Sequence, residues 1–189
     1  MAATKHAQKI REDSTAYLTT ALLQLLEKKP LAEIKVTELV TRAGVSRMAF
    51  YRNFDTLADV LRAYFAPRMT RLFDDVITQV PSPAKLGDMQ QFFAEMGHAL
   101  HLAEKRNYEY IVQQLFADNM VRYYQLTLPT GADDAGMQRY WIRFMSAGVY
   151  AIWREWLLSG ANETLDEMHE LIGKLQRATL AVIEQDADR

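Results

Sequence analysis

The 189-residue sequence contains no cysteine, which excludes disulfide staples, thiolate nucleophiles and cysteine metal ligands. That absence fits a reducing compartment. The N-terminal stretch MAATKHAQKIRED has no apolar h-region, so a cytoplasmic protein is expected. Long hydrophobic runs are missing too. The longest candidate, around Trp141 to Leu158, is interrupted by Arg143, Arg154 and Glu155, the pattern of a buried helix and not of a membrane span. No stretch alternates apolar and polar residues long enough for a strand. There is no phosphate-cradling glycine loop and no nucleophile motif; no catalytic residue, cofactor or metal is expected. Proline and glycine number only five and eight, so the few that occur act as punctuation.

What is present is helical periodicity, and the chain is expected to be all-α. Apolar residues make up 49%, enough for a proper core. Ile10, Ser14, Tyr17, Leu18, Ala21, Leu22, Leu25 and Leu26 form one stripe of a first helix, which Pro30 stops. A short helix over about Val36 to Ala43 ends at Gly44, expected at positive φ. Ser46 is placed to cap the next short helix. A longer one runs from about Thr56 towards Gln79. After Pro81 and Pro83 the spacing predicts a helix through Leu86 to Leu100 and another over about Asn107 to Leu126. A loop, LPTGADDAG, covers Leu128 to Gly136. The last two helices run from Met137 to Trp156, closed by Gly160, and from Thr164 onward, with Glu167 completing a capping box.

Net charge is only −2, but it is unevenly distributed. Residues 1–54 carry nine Lys/Arg against five Asp/Glu, and residues 55–189 carry thirteen against nineteen. A basic first quarter on an acidic remainder suits a nucleic-acid-binding head on a body with another task. Two short helices joined by a glycine turn make a helix-turn-helix, whose second helix enters the major groove. Val45, Phe50 and Phe54 are spaced to face the core. Arg47, Met48, Ala49, Tyr51 and Asn53 are left for the outer side or the flanks.

These residues resemble the tetracycline-repressor (TetR) family. Ala43-Gly44-Val45-Ser46, then Phe50-Tyr51, then Phe54 follow that family's head motif in order and spacing, over roughly residues 8–65. The resemblance implies a head over residues 1–55 and an effector-binding and dimerisation part over 56–189. It implies that Arg47, Met48 and Ala49 approach base edges of double-stranded DNA, while Lys35, Thr37, Tyr51 and Asn53 hold phosphates. Ser46 and Arg52 complete the DNA-binding set, with Asp55 a competing partner for Arg52. The chemistry agrees: arginine pairs bidentately with guanine, and alanine and methionine offer apolar contact to a thymine methyl. Two positions depart from the family pattern. Leu57 stands where members commonly carry a lysine, removing one backbone contact. Lys35 stands where a threonine or serine often opens the second helix, leaving Thr37 to act there.

In the body, the resemblance implies a small-molecule effector pocket among the middle helices, for which Phe92, Met96, Tyr110, Met120, Trp141 and Phe144 are the candidates. Tyr108 and Tyr123 add to the same aromatic surplus. A homodimer through the last two helices is expected, since one small head contacts few base pairs. Pro67 is expected to kink the helix that links head to body. The alternative is a helical-bundle metal protein or enzyme using Glu95, His98 and His101, although the two Glu-x-x-His helices and extra glutamates of a di-iron bundle are not all present.

Overall fold

In a computed structural model the described residues are 2–77, 83–128 and 135–187, with side chains described for 13–74, 93, 95–128 and 136–181. Every regular element among them is helical: α1 (Ala2–Leu26), a 3-10 turn (Leu31–Glu33), α2 (Val36–Ala43), α3 (Arg47–Asn53), α4 (Leu57–Ile77), α5 (Pro83–Lys105), α6 (Glu109–Thr127), α7 (Ala135–Leu158) and α8 (Leu165–Ala187). The chain is all-α. It divides into two compact units, residues 1–68 with 101–112, and residues 69–100 with 113–189.

The first unit is built on α1. Leu18, Leu22, Leu25 and Leu26 are buried, and α1 packs on α2 and α3. Tyr17, counted in the same stripe by spacing, is 59% exposed because it lies at the edge of that face. The turn between α5 and α6 belongs to this unit. The Leu31 amide donates to the Arg106 carbonyl at 3.1 Å, and the Arg106 guanidinium donates to the Glu27 carbonyl. Asn107 takes a positive φ of 62°, which ends α5 and delays α6 to Glu109. Tyr108 follows, fully buried with its ring 6.4 Å from that of Phe65.

A capping box not anticipated from the sequence opens α4. The Thr56 amide donates to Asp59 Oδ2 at 2.7 Å, and the Asp59 amide donates back to Thr56 Oγ1 at 3.2 Å. The Thr56 hydroxyl hydrogen bond, followed by its backbone amide and Arg62, holds the Asp59 carboxyl below its usual pKa despite some desolvation. Pro67 lies inside α4. The boundary between the units falls at Arg68/Met69, directly after it.

In the second unit α7 packs on α8. Trp141, Met145, Val149, Trp153 and Trp156 are buried along α7, and Leu165, Met168 and Ile172 along α8. Both indole N–H groups near the ends of α7 find acceptors: Trp141 donates to Thr179 Oγ1 at 3.1 Å and Trp156 to the Glu163 carbonyl at 3.0 Å. The connection turns through Gly160 (φ 102°) and Ala161 (φ 52°). The expected capping box then forms, with the Thr164 amide donating to Glu167 Oε2 at 2.8 Å and the Glu167 amide to Thr164 Oγ1 at 3.2 Å. Leu171 and Leu175, by contrast, are 45% and 41% exposed. The apolar stripe of α8 is thus only partly buried.

Candidate functional site

The helix-turn-helix is set by three local devices. Gly44 sits at φ 68°, a left-handed conformation that a β-carbon disfavours. Its amide and that of Val45 return to carbonyls of α2, closing the helix and reversing the chain. Ser46 then caps α3, its hydroxyl accepting from the Ala49 amide at 3.0 Å. The first turn of α2 is held differently: its N-cap residue Lys35 makes no side-chain capping bond, and the Glu38 carboxylate accepts from the Lys35 amide. Thr37, already inside the helix, does not substitute. Lys29 instead pairs with Glu38 at 2.5 Å and, through that hydrogen bond, lowers the Glu38 pKa.

Phe50 is fully buried and Phe54 nearly so, with their rings 6.1 Å apart. Burial of one phenylalanine is worth roughly 1.5–3 kcal/mol, so this pair fixes the roll of α3 about its axis. Everything on the other side is then forced outward. Lys35, Thr37, Ser46, Arg47, Met48, Tyr51 and Arg52 are exposed, and Ala49 and Asn53 are half-buried. Met48, at 71% exposure, is an apolar side chain held in water on a short helix. The Arg47 guanidinium lies 5.9 Å from the Tyr51 ring centre one turn on.

Neither Arg47 nor Arg52 forms an ion pair among the described residues. Asp55 does not engage Arg52, and both guanidinium groups keep their full donor sets. Asn53 is different. Its side-chain amide donates to the Ala49 carbonyl at 2.8 Å, so part of its donor capacity is spent within the helix.

The second unit holds a cavity of about 140 Å3, bounded among others by Phe73, Phe93, Phe116, Met120, Trp153 and His169. Of the six pocket candidates chosen from the sequence, Met120 lines it. Tyr110 and Phe144 are 51% and 63% exposed. Met96 and Trp141 are buried elsewhere in the core, Trp141 being held by Thr179. The side chain of Phe92 lies outside the described residues. The wall at that point is Phe93, which stacks on Trp153 at 4.5 Å. A one-residue shift turns a helical side chain by about 100°, so periodicity alone does not separate Phe92 from Phe93. His169, at the same wall, contacts Trp153 edge-on at 5.5 Å. Desolvation lowers its pKa, against smaller opposing effects of Asp166 and of a hydrogen bond to Leu165.

Glu95, His98 and His101 are all exposed on α5, and no group of three or more acidic or histidine side chains converges to hold a metal among the described residues. No helix among them is long and apolar enough to cross a membrane.

No family model and no curated protein matches the chain. Among solved structures, it is similar to a TetR transcriptional regulator from Rhodococcus sp. RHA1, at 15% identity over 88% of this chain and 95% of that one, with a TM-score of 0.46.

Proposed function

We propose that the chain is a DNA-binding transcriptional regulator, by default a repressor, of the kind its head motif resembles. The observation that carries this reading is the two-sidedness of α3: Phe50 is sealed in the core while Arg47, Met48, Tyr51 and Arg52 stand in solvent, with both arginines unpaired. A helix that only closed a core would have no use for that outer row. Laid into a major groove, Arg47 donates to a guanine and Met48 and Ala49 meet thymine methyls. Lys35, Thr37, Ser46, Tyr51 and Arg52 hold phosphates around it, with a lesser part for Asn53.

A homodimer on a near-palindromic operator follows from symmetry. Support comes from an outer row on α7, where Met137, Tyr140, Phe144, Ala147 and Ala151 are exposed at alternating three- and four-residue spacing. That is the spacing of a helix–helix seam, and Leu171 and Leu175 are exposed on α8 as well. In this reading the DNA head is the 1–55 segment, residues 56–189 carry dimerisation and sensing, and a small effector in the cavity releases the operator.

The test is selection of bound duplexes from random DNA. Enrichment of a near-palindrome, bound with an affinity that falls steeply as salt rises, is the expected result. Failure to enrich any sequence, with no binding at low salt, would remove the regulator reading.

A further inference from the structure

The cavity of the second unit has a definite chemistry, and its contents follow from its walls. Its volume, about 140 Å3, is close to that of an apolar cavity of ~150 Å3 that accommodates benzene. One six-membered ring with a small substituent fills it. The described residues around it include no aspartate, glutamate, lysine or arginine, so a charged ligand would be desolvated with no counter-charge from them. Rings are presented both face-on and edge-on. Phe93 and Trp153 are stacked, while Phe73 and Phe116 meet edge to face at 5.3 Å. A flat aromatic guest continues both arrangements.

Its polar requirement comes from α8, which contributes His169, Ile172 and Gln176 to the wall. The Gln176 side-chain amide nitrogen donates one of its two N–H groups to the Tyr124 hydroxyl at 2.6 Å, leaving the amide oxygen to accept and one N–H to donate. Tyr124 itself stays protonated, its pKa pushed up to about 12 by burial. The His169 ring is neutral near pH 7 because desolvation lowers its pKa, and it hydrogen-bonds the Leu165 backbone. A neutral imidazole that donates through one nitrogen accepts through the other. His169 therefore needs a donor, and the Gln176 oxygen can accept from the same one. Tyr123, also in the wall, has a hydroxyl that donates or accepts and so constrains nothing.

We infer that the cavity binds a neutral, single-ring aromatic ligand carrying a hydroxyl donor, with a simple phenol as its minimal form. A phenol titrates near the tyrosine value of about 10 and is uncharged at pH 7. The inference rests on reading the second unit as the sensing half of a regulator, and it names what that half senses.

The test is calorimetric titration of the full chain without DNA, at pH 7.5, with p-cresol, toluene, cyclohexanol, benzoate and benzylamine. The expected order puts p-cresol first. Toluene follows about ten-fold weaker for want of one hydrogen bond; cyclohexanol is also weaker, and neither ion binds detectably. Val149→Phe, which fills the space, abolishes binding, and the double substitution His169→Leu with Gln176→Leu brings p-cresol down to toluene. No binding of p-cresol at millimolar concentration, or benzoate or benzylamine binding as tightly, overturns the inference. So does a wild-type series in which toluene equals p-cresol, a result that needs no variant to fold. Operator release is measured separately. If p-cresol binds but no operator can be selected, the ligand assignment stands and the regulator reading falls. An operator that is bound and selected alongside a cavity that ignores p-cresol gives the reverse.

Discussion

Replacing Arg47 with alanine separates the two halves of α3 more cleanly than any other change. The side chain is exposed, forms no ion pair among the described residues, and lies against the Tyr51 ring at 5.9 Å. That distance is at the outer edge of a cation–π contact, worth about 0.5 kcal/mol at an exposed site, so the folded state should lose no more than roughly that amount. DNA binding should respond very differently. A bidentate arginine–guanine pair contributes about 1–3 kcal/mol, or about 5- to 150-fold in affinity, and its loss relaxes preference at one base pair in each half-site. The assay is a titration of the selected operator and its single-base variants at fixed salt, beside a denaturant melt of the protein alone. Two results would refute the reasoning: unchanged affinity, or a loss spread evenly over all base pairs, which would make Arg47 a phosphate contact. A melt shifted by several kcal/mol would instead return α3 to a purely structural role.

Further outcomes are expected elsewhere. Ser46→Ala removes the acceptor for the Ala49 amide and should lower unfolding free energy by about 1 kcal/mol, while Ser46→Asn should recover most of it in the same urea titration. Phe144→Glu, on the exposed row of α7, should leave the helical circular dichroism signal intact but yield monomers by sedimentation at micromolar concentration; a persisting dimer would move the interface off that row. His169 should make stability pH-dependent in a definite sense. Its folded pKa lies below 6.5, so the unfolded chain takes up the proton first on acidification. The contribution is complete above about pH 6.5 and is lost as pH falls from there towards the folded value. Thermal melts at pH 7.5 and 5.5 should differ more for the wild type than for His169→Gln.

The head was largely legible in the residues themselves, because its determinants are local. Glycine is the residue that tolerates φ 68° at position 44, a serine two residues on is placed to cap, and two phenylalanines four apart fix one buried face; each acts within a few residues of chain. Even there, tertiary structure added what spacing does not carry. It committed Asn53 to the Ala49 carbonyl, left Arg52 clear of Asp55, and brought the α5–α6 turn in to complete the unit.

The body shows the limit. Its helices were expected in the right order and nearly the right places, but aromatic residues lie on more than one face of each. Which face becomes core, cavity or seam depends on neighbours far away in sequence. Trp141 went into the core and Phe144, three residues on, went into water. Phe93 met the cavity, and Val149, Trp153 and Gln176 reached it from two other helices. Helical periodicity determined that these segments coil and that they are amphipathic. Only packing, through the choice of which rows interlock, decided where an empty space would be left and what chemistry would line it.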